Sequence, residues 1–192
     1  MRNFLDKDIS PEIINYIIEA ARLSPSGGNE QLWEFGIITN DDLIQKISRL
    51  AYKQKWISKA KLVVVLCTRV VSDERGGRDI QQARFPEFAD EIKDMDKELY
   101  SYLNQEEHQT KIPGTHMVLA ALEHGIGSTW VSYFKVKEVA KLLNLPGGVI
   151  PTEMIAFGYP ARKMKPTSKK SVQEVIFYNN EYDNAKENQS NE

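Results

Sequence analysis

The sequence has little of what disulfide frameworks, nucleic-acid-binding surfaces and membrane anchors require. Its 192 residues include a single cysteine, Cys67, so no internal disulfide can form, and its apolar neighbours predict a buried, inert thiol. The net charge of -2 and the isoelectric point near 6.0 argue against a basic nucleic-acid or membrane surface. No apolar run could span a bilayer, and no signal peptide follows Met1. We therefore expect a soluble cytoplasmic protein without nucleic-acid or membrane partners.

The common catalytic and cofactor fingerprints are also missing. The sequence contains no G-x-G-x-x-G dinucleotide fingerprint and no phosphate-binding P-loop. The histidines His108, His116 and His124 are eight residues apart, a spacing that does not bring metal ligands together as i, i+4 spacing does. His116 lies in an apolar helical pattern, which favours a hydrogen-bonded core or interface histidine over a catalytic one. Spacing alone therefore identifies no metal site and no nucleophile–base arrangement.

The apolar residues do form helix and strand patterns over residues 1–180, which we interpret as one domain with a polar, disordered tail over residues 181–192. Strands are predicted at residues 34–39, 62–67, 128–134, 152–160 and 172–178. The continuous apolar run at residues 62–67 predicts a central strand covered on both faces. Helices are predicted at residues 11–21, 43–50, 88–103, 114–124 and 136–143. The helix at residues 114–124 is apolar nearly all round, which predicts burial or a subunit interface.

Between the first helix and the first strand lies the stretch Ser24-Pro25-Ser26-Gly27-Gly28-Asn29. Turn residues of this kind leave the backbone free to approach a flat ligand. Asn29, Gln31, Trp33 and Phe35 then alternate into the strand. The stretch resembles the nitroreductase family of FMN-dependent oxidoreductases, in which Asn-x-Gln-Pro-Trp-x-Phe follows a Pro-Ser loop, although Leu32 replaces the family's proline. The alternative is a simple helix-to-strand connection whose apolar residues enter the core.

Four further segments resemble the same family in the correct order. Residues 117–131 resemble its Leu-Ala-Ala-x-x-x-Gly-Leu-Gly-x-x-Trp-Ile segment, and residues 156–161 resemble its Gly-Tyr-Pro-Ala ending. The pattern Gln54-x-Trp56-Ile57-x-x-Ala60 and residues 169–175 match weaker family patterns. The resemblance covers roughly residues 2–178.

This resemblance implies an α+β fold, a nitroreductase-like three-layer α/β/α arrangement around a mostly antiparallel sheet, in a homodimer with FMN at the subunit interface. It implies that NAD(P)H reduces the flavin, which then passes electrons to a nitroaromatic, quinone or similar small-molecule acceptor in a ping-pong cycle. The flavin carries the chemistry, so no side chain is assigned a catalytic role. Two alternatives stay open: a relative that uses reduced FMN for dehalogenation or flavin fragmentation, and a non-enzymatic module that binds a flavin or nucleotide.

The resemblance also assigns flavin contacts. Basic residues would hold the phosphate, the Pro-Ser loop would border the isoalloxazine ring, and a backbone N–H at Ser132 or Tyr133 would face flavin N5. Gln54 would contact the flavin or its ribityl chain. The complete set is Arg2, Pro25, Ser26, Gly27, Asn29, Gln54, Val131, Ser132, Tyr133, Lys169 and Lys170.

The sequence departs from the family at its start. The family's Arg-Arg-Ser or Arg-His-Ser segment would precede Arg2, where this sequence has no residues for it. We expect either weaker FMN binding, compensation by Lys169 and Lys170, or a start codon that lies upstream. Residues 72–86, with Gly76-Gly77 and many charges, predict a loop or mobile lid over the site, and the helix at residues 88–103 would flank it.

Overall fold

A computed structural model describes residues 1–52, 54–69, 77–97, 99–100, 105–162 and 167–179 of the chain. The chain divides into two compact units, Met1–Arg162 and Lys163–Glu192. The first unit contains the β-sheet and its covering helices, and the described part of the second, residues 167–179, contains one short helix. The division into a domain at residues 1–180 and a tail at residues 181–192 stays a prediction, and the tail lies outside the described residues.

The helices begin where the sequence supplies capping groups. Ser10 Oγ accepts a hydrogen bond from Ile13 N at 3.5 Å, with Pro11 at the first helical position, and Asn40 Oδ1 accepts one from Leu43 N at 2.9 Å. The helices are α1 (Pro11–Arg22), α2 (Asp41–Leu50), α3 (Gly77–Arg84), α4 (Ala89–Asp94), α5 (Gln105–Glu123), α6 (Val136–Leu142) and α7 (Val172–Val175). Short 3-10 helices lie at Gly27–Asn29, Lys55–Lys59 and Pro86–Phe88.

Four strands form one antiparallel sheet in the order β1-β2-β4-β3. They are β1 (Trp33–Ile38), β2 (Leu62–Arg69), β3 (Gly127–Val131) and β4 (Val149–Gly158). All residues of β2 except Arg69 are buried, which confirms the predicted central strand. The antiparallel sheet and the α+β class are confirmed.

Helices cover both faces of the sheet, because side chains alternate along each strand. On one face, Leu62, Val64 and Leu66 of β2 belong to a buried cluster with residues of α1 and α5. On the other face, Val63 and Val65 belong to a second buried cluster with residues of α2 and α6. The predicted three-layer α/β/α arrangement is therefore confirmed.

The close approach of α5 to the sheet depends on Gly114. A Cβ atom at this position would lie 2.5 Å from Trp130 of β3 and 2.8 Å from Leu66 of β2. Such distances are shorter than carbon–carbon contact allows, so a side chain here would displace the Trp130 ring and the Leu66 side chain or move α5. The end of β3 is therefore positioned in part by a glycine on the helix beneath it.

Two predicted strands differ from the structure. The strand predicted at residues 128–134 ends at Val131, because the chain turns there toward the end of α2. The strand predicted at residues 172–178 is wrong, since Val172–Val175 is helical. A capping box stabilises this helical turn. Ser171 Oγ accepts a hydrogen bond from Glu174 N at 3.3 Å, and the Glu174 carboxylate accepts one from Ser171 N at 2.6 Å.

The predicted helices also need correction. The helix predicted at residues 88–103 is interrupted: α4 ends at Asp94, the chain leaves the helical conformation at Met95, and residues 97, 99 and 100 are helical again, while residues 98 and 101–104 lie outside the described residues. The loop predicted at residues 72–86 contains helix α3 in its second half, and residues 72–76 are not described. The apolar segment at residues 114–124 is only the later part of α5, which begins at Gln105. Its apolar residues divide between a buried side, with Met117 and Ala121, and an exposed side with Leu119 and Leu122.

The structure also bears on the predictions for Cys67, for His116 and for membrane-spanning helices. Cys67 is buried, and burial raises the pKa of its thiol to about 12, as expected of an inert thiol. His116 is half-buried, and its Nδ1 lies 3.3 Å from the Ala20 carbonyl oxygen, in line with the hydrogen-bonded role predicted for it. Within the described ranges, no helix combines the length and apolar character needed to cross a bilayer.

Candidate functional site

The predicted flavin contacts of the first unit fall into two groups at the same end of the sheet. One group is the β1 loop, which we define as residues 25–31, directly before β1. The other is the β3 corner, which we define as Arg2, Tyr52, Gln54, Trp56 and residues 131–133. The strand register places both groups at this end of the sheet. The start of β1 pairs with the end of β2, and the end of β2 pairs with the start of β4. Strand β3 runs antiparallel to β4, so β3 ends on the side where β4 begins.

The β3 corner joins the turn after α2 to the segment after β3. Gln54 Nε2 donates a hydrogen bond to the Tyr133 carbonyl oxygen at 3.0 Å, and Lys135 N donates to the Leu50 carbonyl oxygen at 3.0 Å. These two bonds hold the chain that leaves β3 beside the chain that leaves α2. The Gln54 side chain is thus a positioning group for the backbone of Tyr133, in addition to any ligand contact.

Two free backbone donors lie at this corner. Val131 is buried, but Ser132 and Tyr133 are exposed, just past the last residue of β3. Within the part of the chain that the structure describes, neither the Ser132 N–H nor the Tyr133 N–H donates a hydrogen bond. Exposed N–H groups without a protein acceptor are available to a bound ligand. These are the donors that the family resemblance would direct to flavin N5.

The N-terminal segment brings Arg2 to the same outer strand. Thr129 Oγ1 of β3 donates a hydrogen bond to the Met1 carbonyl oxygen, so the first residues lie along β3. The Arg2 guanidinium lies 5.6 Å from the centre of the Trp56 ring, within the range of a cation–π contact. Arg2 is exposed, and its charge remains accessible to an anionic group.

The β1 loop is organised by its own residues. Ser26 Oγ accepts a hydrogen bond from Gln31 N at 3.0 Å, and Asn29 Oδ1 accepts one from Gln31 Nε2 at 3.3 Å. Gly28 and Asn29 both have a φ of 56°, a left-handed conformation that glycine and asparagine adopt most readily. Pro25, Gly27 and Asn29 are exposed and Ser26 is partly so. These contacts give Asn29 a role in holding the loop.

The β1 loop and the β3 corner do not meet within one chain. Their strands are the two outer strands, separated by three strand spacings, or roughly 14 Å. No hydrogen bond links them in the described ranges. Lys169 and Lys170 belong to the second unit, where they are exposed on the extended segment before α7.

An open cleft of about 740 Å³ lies at the opposite end of the sheet and includes none of the predicted site residues. Its wall contains Lys61, whose Nζ lies 2.7 Å from Asp6 Oδ1, 3.6 Å from Asp8 Oδ1 and 3.6 Å from Asp41 Oδ2. The hydrogen bond to Asp6 raises the pKa of Lys61. Since the Lys61 ammonium group already has a carboxylate partner at hydrogen-bond distance and two more nearby, we interpret it as structural.

The site residue that sequence reasoning missed is Tyr52. Its ring stacks on the Tyr133 ring, with 4.1 Å between ring centres and 18° between ring planes. Nothing in the spacing of residues 52 and 133 indicates this contact. The only sequence signal is an aromatic residue between the second helix and the second strand and another near the end of the third predicted strand.

Comparisons with known proteins agree with this geometry. The model of the family described as the nitroreductase family matches residues 1–159. The chain belongs to the nitroreductase family. Its relatives include an Archaeoglobus fulgidus protein, provisionally named NADH dehydrogenase/NAD(P)H nitroreductase, which is 26% identical over 83% of this chain and 79% of that protein. The FMN reductase [NAD(P)H] of Bacillus subtilis is 25% identical over 84% of this chain and 62% of its own length.

The fold of this nitroreductase-family chain also matches solved structures. The FMN-dependent nitroreductase of Clostridium difficile R20291 superimposes with a TM-score of 0.69 at 19% identity, covering 93% of this chain and 94% of that one. At this identity the likeness concerns the fold. Within the described residues, no group of three or more His, Cys, Asp or Glu side chains is arranged to hold a metal ion.

Proposed function

We propose that this chain is an FMN-dependent oxidoreductase that takes electrons from NAD(P)H and passes them to a small organic acceptor such as a nitroaromatic compound or a quinone. Family membership supports the reaction class, as do the names of the relatives. The observation that carries the proposal is the β3 corner, where two exposed N–H groups without a protein acceptor lie beside Gln54. We also propose a cytoplasmic location, because the reaction consumes NAD(P)H, which the cytoplasm supplies.

The residues of the β3 corner fit a flavin. The Ser132 and Tyr133 N–H groups can donate to an acceptor atom on the edge of a flat ring, as the N5 contact requires. Gln54 fixes the Tyr133 peptide, so these donors are oriented before the ligand arrives. Arg2 supplies a positive charge along the same strand for the phosphate or ribityl chain. We assign the remaining phosphate contacts to Lys169 and Lys170, as charge-assisted hydrogen bonds.

FMN, when bound, supplies the two-electron chemistry, and the protein binds and orients it. The chain's residues then have to admit NAD(P)H and the acceptor to one face in turn. A single β1 loop and the lack of a dinucleotide fingerprint support one shared site, which gives ping-pong kinetics. No side chain of the β3 corner is arranged as an acid–base dyad, in keeping with chemistry carried by the flavin.

We propose further that two copies complete the site. The exposed side of α5 carries Ile112, Leu119 and Leu122, which are 40%, 57% and 59% exposed in the single chain. A row of apolar side chains this exposed is typical of a surface that another protein covers. Pairing of two chains through this α5 stripe would allow the β1 loop of one copy to approach the β3 corner of the other.

The test is flavin binding followed by steady-state kinetics. We expect the purified protein to be yellow, or to quench the fluorescence of added FMN and not of FAD. Double-reciprocal plots for NAD(P)H at several fixed quinone concentrations should be parallel. Intersecting lines would indicate a ternary complex and contradict the shared site. A protein that neither quenches FMN fluorescence nor oxidises NADH or NADPH would contradict the proposed function.

A further inference from the structure

Glu153 is a buried acidic residue that neither the apolar core nor the proposed flavin contacts account for. It lies in β4 and is only 4% exposed. Its Oε1 atom is 3.7 Å from Lys111 Nζ of α5, beyond direct hydrogen-bond distance, and its buried Oε2 atom has no hydrogen-bond partner among the described residues. Burial removes the hydration of a carboxylate, so such a group normally has close partners. Glu153 Oε2 therefore retains the capacity to accept a proton.

Two hydroxyl groups close to Glu153 are already engaged with other atoms. Thr152, the preceding residue of β4, donates a hydrogen bond from Oγ1 to the Leu66 carbonyl oxygen at 3.2 Å. The same Oγ1 lies 2.8 Å from Thr110 Oγ1 of α5. A hydroxyl group has one hydrogen, so Thr110 is the donor in this second bond. Neither hydroxyl therefore supplies a hydrogen to the Glu153 carboxylate.

The strand register places Glu153 beside the β3 corner. Met154 pairs with Val131, the last residue of β3. Glu153 precedes Met154 on β4 and is therefore level with Ser132, one of the two backbone donors proposed for flavin N5. Paired residues of neighbouring strands point to the same face, and Leu66, which pairs with Glu153, packs on the side of α1 and α5. The carboxylate thus lies on the α5 side of the backbone that would hold the flavin edge.

The charges around Glu153 leave it close to solvent and sensitive to a further negative charge. Lys111 faces it from α5, and the Lys111 side chain is 42% exposed, so the pair reaches from the interior to the surface. On the same side, β2 contributes the uncharged Leu66 and Thr68, and β3 contributes Trp130. Like charges repel strongly where water is excluded. A negative charge that arrives at the β3 corner therefore favours the protonated form of Glu153.

We propose that Glu153 takes up a proton at Oε2 when bound FMN is reduced and releases it when the acceptor is reduced. This proposal rests on the proposed function and adds a proton-binding residue to it. A hydride from NAD(P)H adds one negative charge to the site, and one solvent proton on Glu153 cancels that charge. Transfer of the hydride to a quinone removes the charge again. Glu153 then releases its proton, so that hydride and proton together convert the quinone to a quinol.

The experiment detects the proton by infrared difference spectroscopy. The FMN-loaded protein would be reduced photochemically near neutral pH, without NAD(P)H or an acceptor. We expect the reduced-minus-oxidised spectrum to gain the C=O band of a protonated carboxylic acid, and Glu153→Gln to lack this band. A pH-indicator dye should report that the unchanged protein takes up about one more proton per flavin than Glu153→Gln. A purely structural role of Glu153 would change neither reading.

Two further variants make the result decisive. Lys111→Met removes the positive charge that keeps Glu153 ionised, so Glu153 should hold its proton in both states and the band should disappear. Because Lys111 is partly exposed, this variant tests the proposal even if Glu153→Gln fails to fold. Glu34→Gln removes a carboxylate of β1 that is 40% exposed and paired with Arg69, and it should keep the band.

The outcomes separate this proposal from the proposed function. Bound flavin that bleaches on reduction without the band, or a band that persists in Glu153→Gln or Lys111→Met, would overturn the role of Glu153 alone. Loss of the band in Glu34→Gln would also contradict it, because the band would then not report on Glu153. A chain that binds no FMN would overturn the proposed function and this role together.

Discussion

The β1 loop and the β3 corner lie at the same end of one sheet, but they are built in opposite ways. The loop's hydrogen bonds link residues two to five positions apart, as between Ser26 and Gln31. The corner's bonds link residues 79 and 128 positions apart, from Gln54 to Tyr133 and from Thr129 to Met1. The loop can therefore form as soon as its own residues adopt their turn, whereas the corner exists only when the whole sheet has assembled. Changes in the two regions should have different consequences.

The largest expected effect concerns the surface that would bring the two regions together. The double substitution Leu119→Asp with Leu122→Asp introduces two charges into the α5 stripe. Burying them would be costly, so we expect the dimer dissociation constant to rise by at least about 100-fold, or ~3 kcal/mol. Sedimentation velocity at micromolar concentration should show a monomer, and the FMN affinity measured in parallel should fall.

The matched control is Ile80→Asp on α3, a position that is 50% exposed. It adds a charge at an exposed apolar position outside the stripe and should leave the dimer intact. A monomeric double variant that binds FMN as tightly as the unchanged protein would mean that one chain holds the flavin alone. The separation of roughly 14 Å between loop and corner would then be bridged by the ligand.

The next largest effect should come from a substitution that disturbs the β3 corner and leaves the β1 loop unchanged. Gly114→Ala places a Cβ 2.5 Å from the Trp130 ring of β3, so either this ring or α5 must shift. We expect the free energy of unfolding to fall by about 1–3 kcal/mol, as for overpacked cores. Urea denaturation followed by tryptophan fluorescence would measure the change. Gly147→Ala, where the added Cβ meets nothing within 4 Å, is the control and should be nearly neutral. Equal losses in the two variants would contradict the packing argument.

How far the sequence predicts each region follows from the same difference. The β1 loop could be read from Pro25, Ser26 and Asn29, because the contacts that shape it lie within the stretch itself. The continuous apolar run of β2 predicted a central strand for the same local reason. The Tyr52–Tyr133 stack could not be predicted, since it depends on where the fold places two distant connections.

The predictions for residues 172–178 and for the start of α5 were wrong for a related reason. Residues 172–178 have apolar residues that suit a strand, but the Ser171–Glu174 capping box stabilises a helical turn there. The polar first half of α5 hides its start, because only the part that packs on the sheet carries the apolar pattern. In both places a local polar signal or a tertiary contact outweighs apolar periodicity.

Smaller effects are expected from one substitution in the β3 corner and one in the β1 loop. Gln54→Leu removes the hydrogen bond to the Tyr133 carbonyl oxygen, a neutral bond worth about 0.5–1.5 kcal/mol. We expect FMN affinity to fall by up to about tenfold, because the Ser132–Tyr133 backbone loses its support. Asn29→Ala in the loop forces alanine into a left-handed conformation and should cost about 1 kcal/mol of stability. Asn29→Gly, which accepts that conformation, is its control and should recover most of this loss. A Gln54→Leu protein with unchanged FMN affinity would show that the Ser132–Tyr133 backbone keeps its conformation without the Gln54 side chain.

The smallest effect should come from the opposite end of the sheet, where Lys61 meets Asp6, Asp8 and Asp41. The hydrogen bond to Asp6 raises the pKa of Lys61, and the bond to Lys61 lowers the pKa of Asp6. The raised lysine pKa stabilises the fold below the ordinary lysine value of about 10.5, and this contribution is lost as pH rises through the folded value. The lowered aspartate pKa stabilises the fold above about 3.8, and this contribution is lost as pH falls through the folded value.

Lys61→Met should therefore lower the melting temperature by a constant amount between about pH 5 and pH 9, and the difference should shrink toward the acid end. The aspartates are solvent-exposed, so the shift should be only about 1–2 °C and should decrease with added salt. Differential scanning calorimetry from about pH 3 to pH 9 would measure the shift and its decrease toward acid pH. FMN affinity should not change, because both the β1 loop and the β3 corner lie at the other end of the sheet. A fall in FMN affinity without a fall in melting temperature would place the flavin at the Lys61 cleft and overturn the assignment of the site.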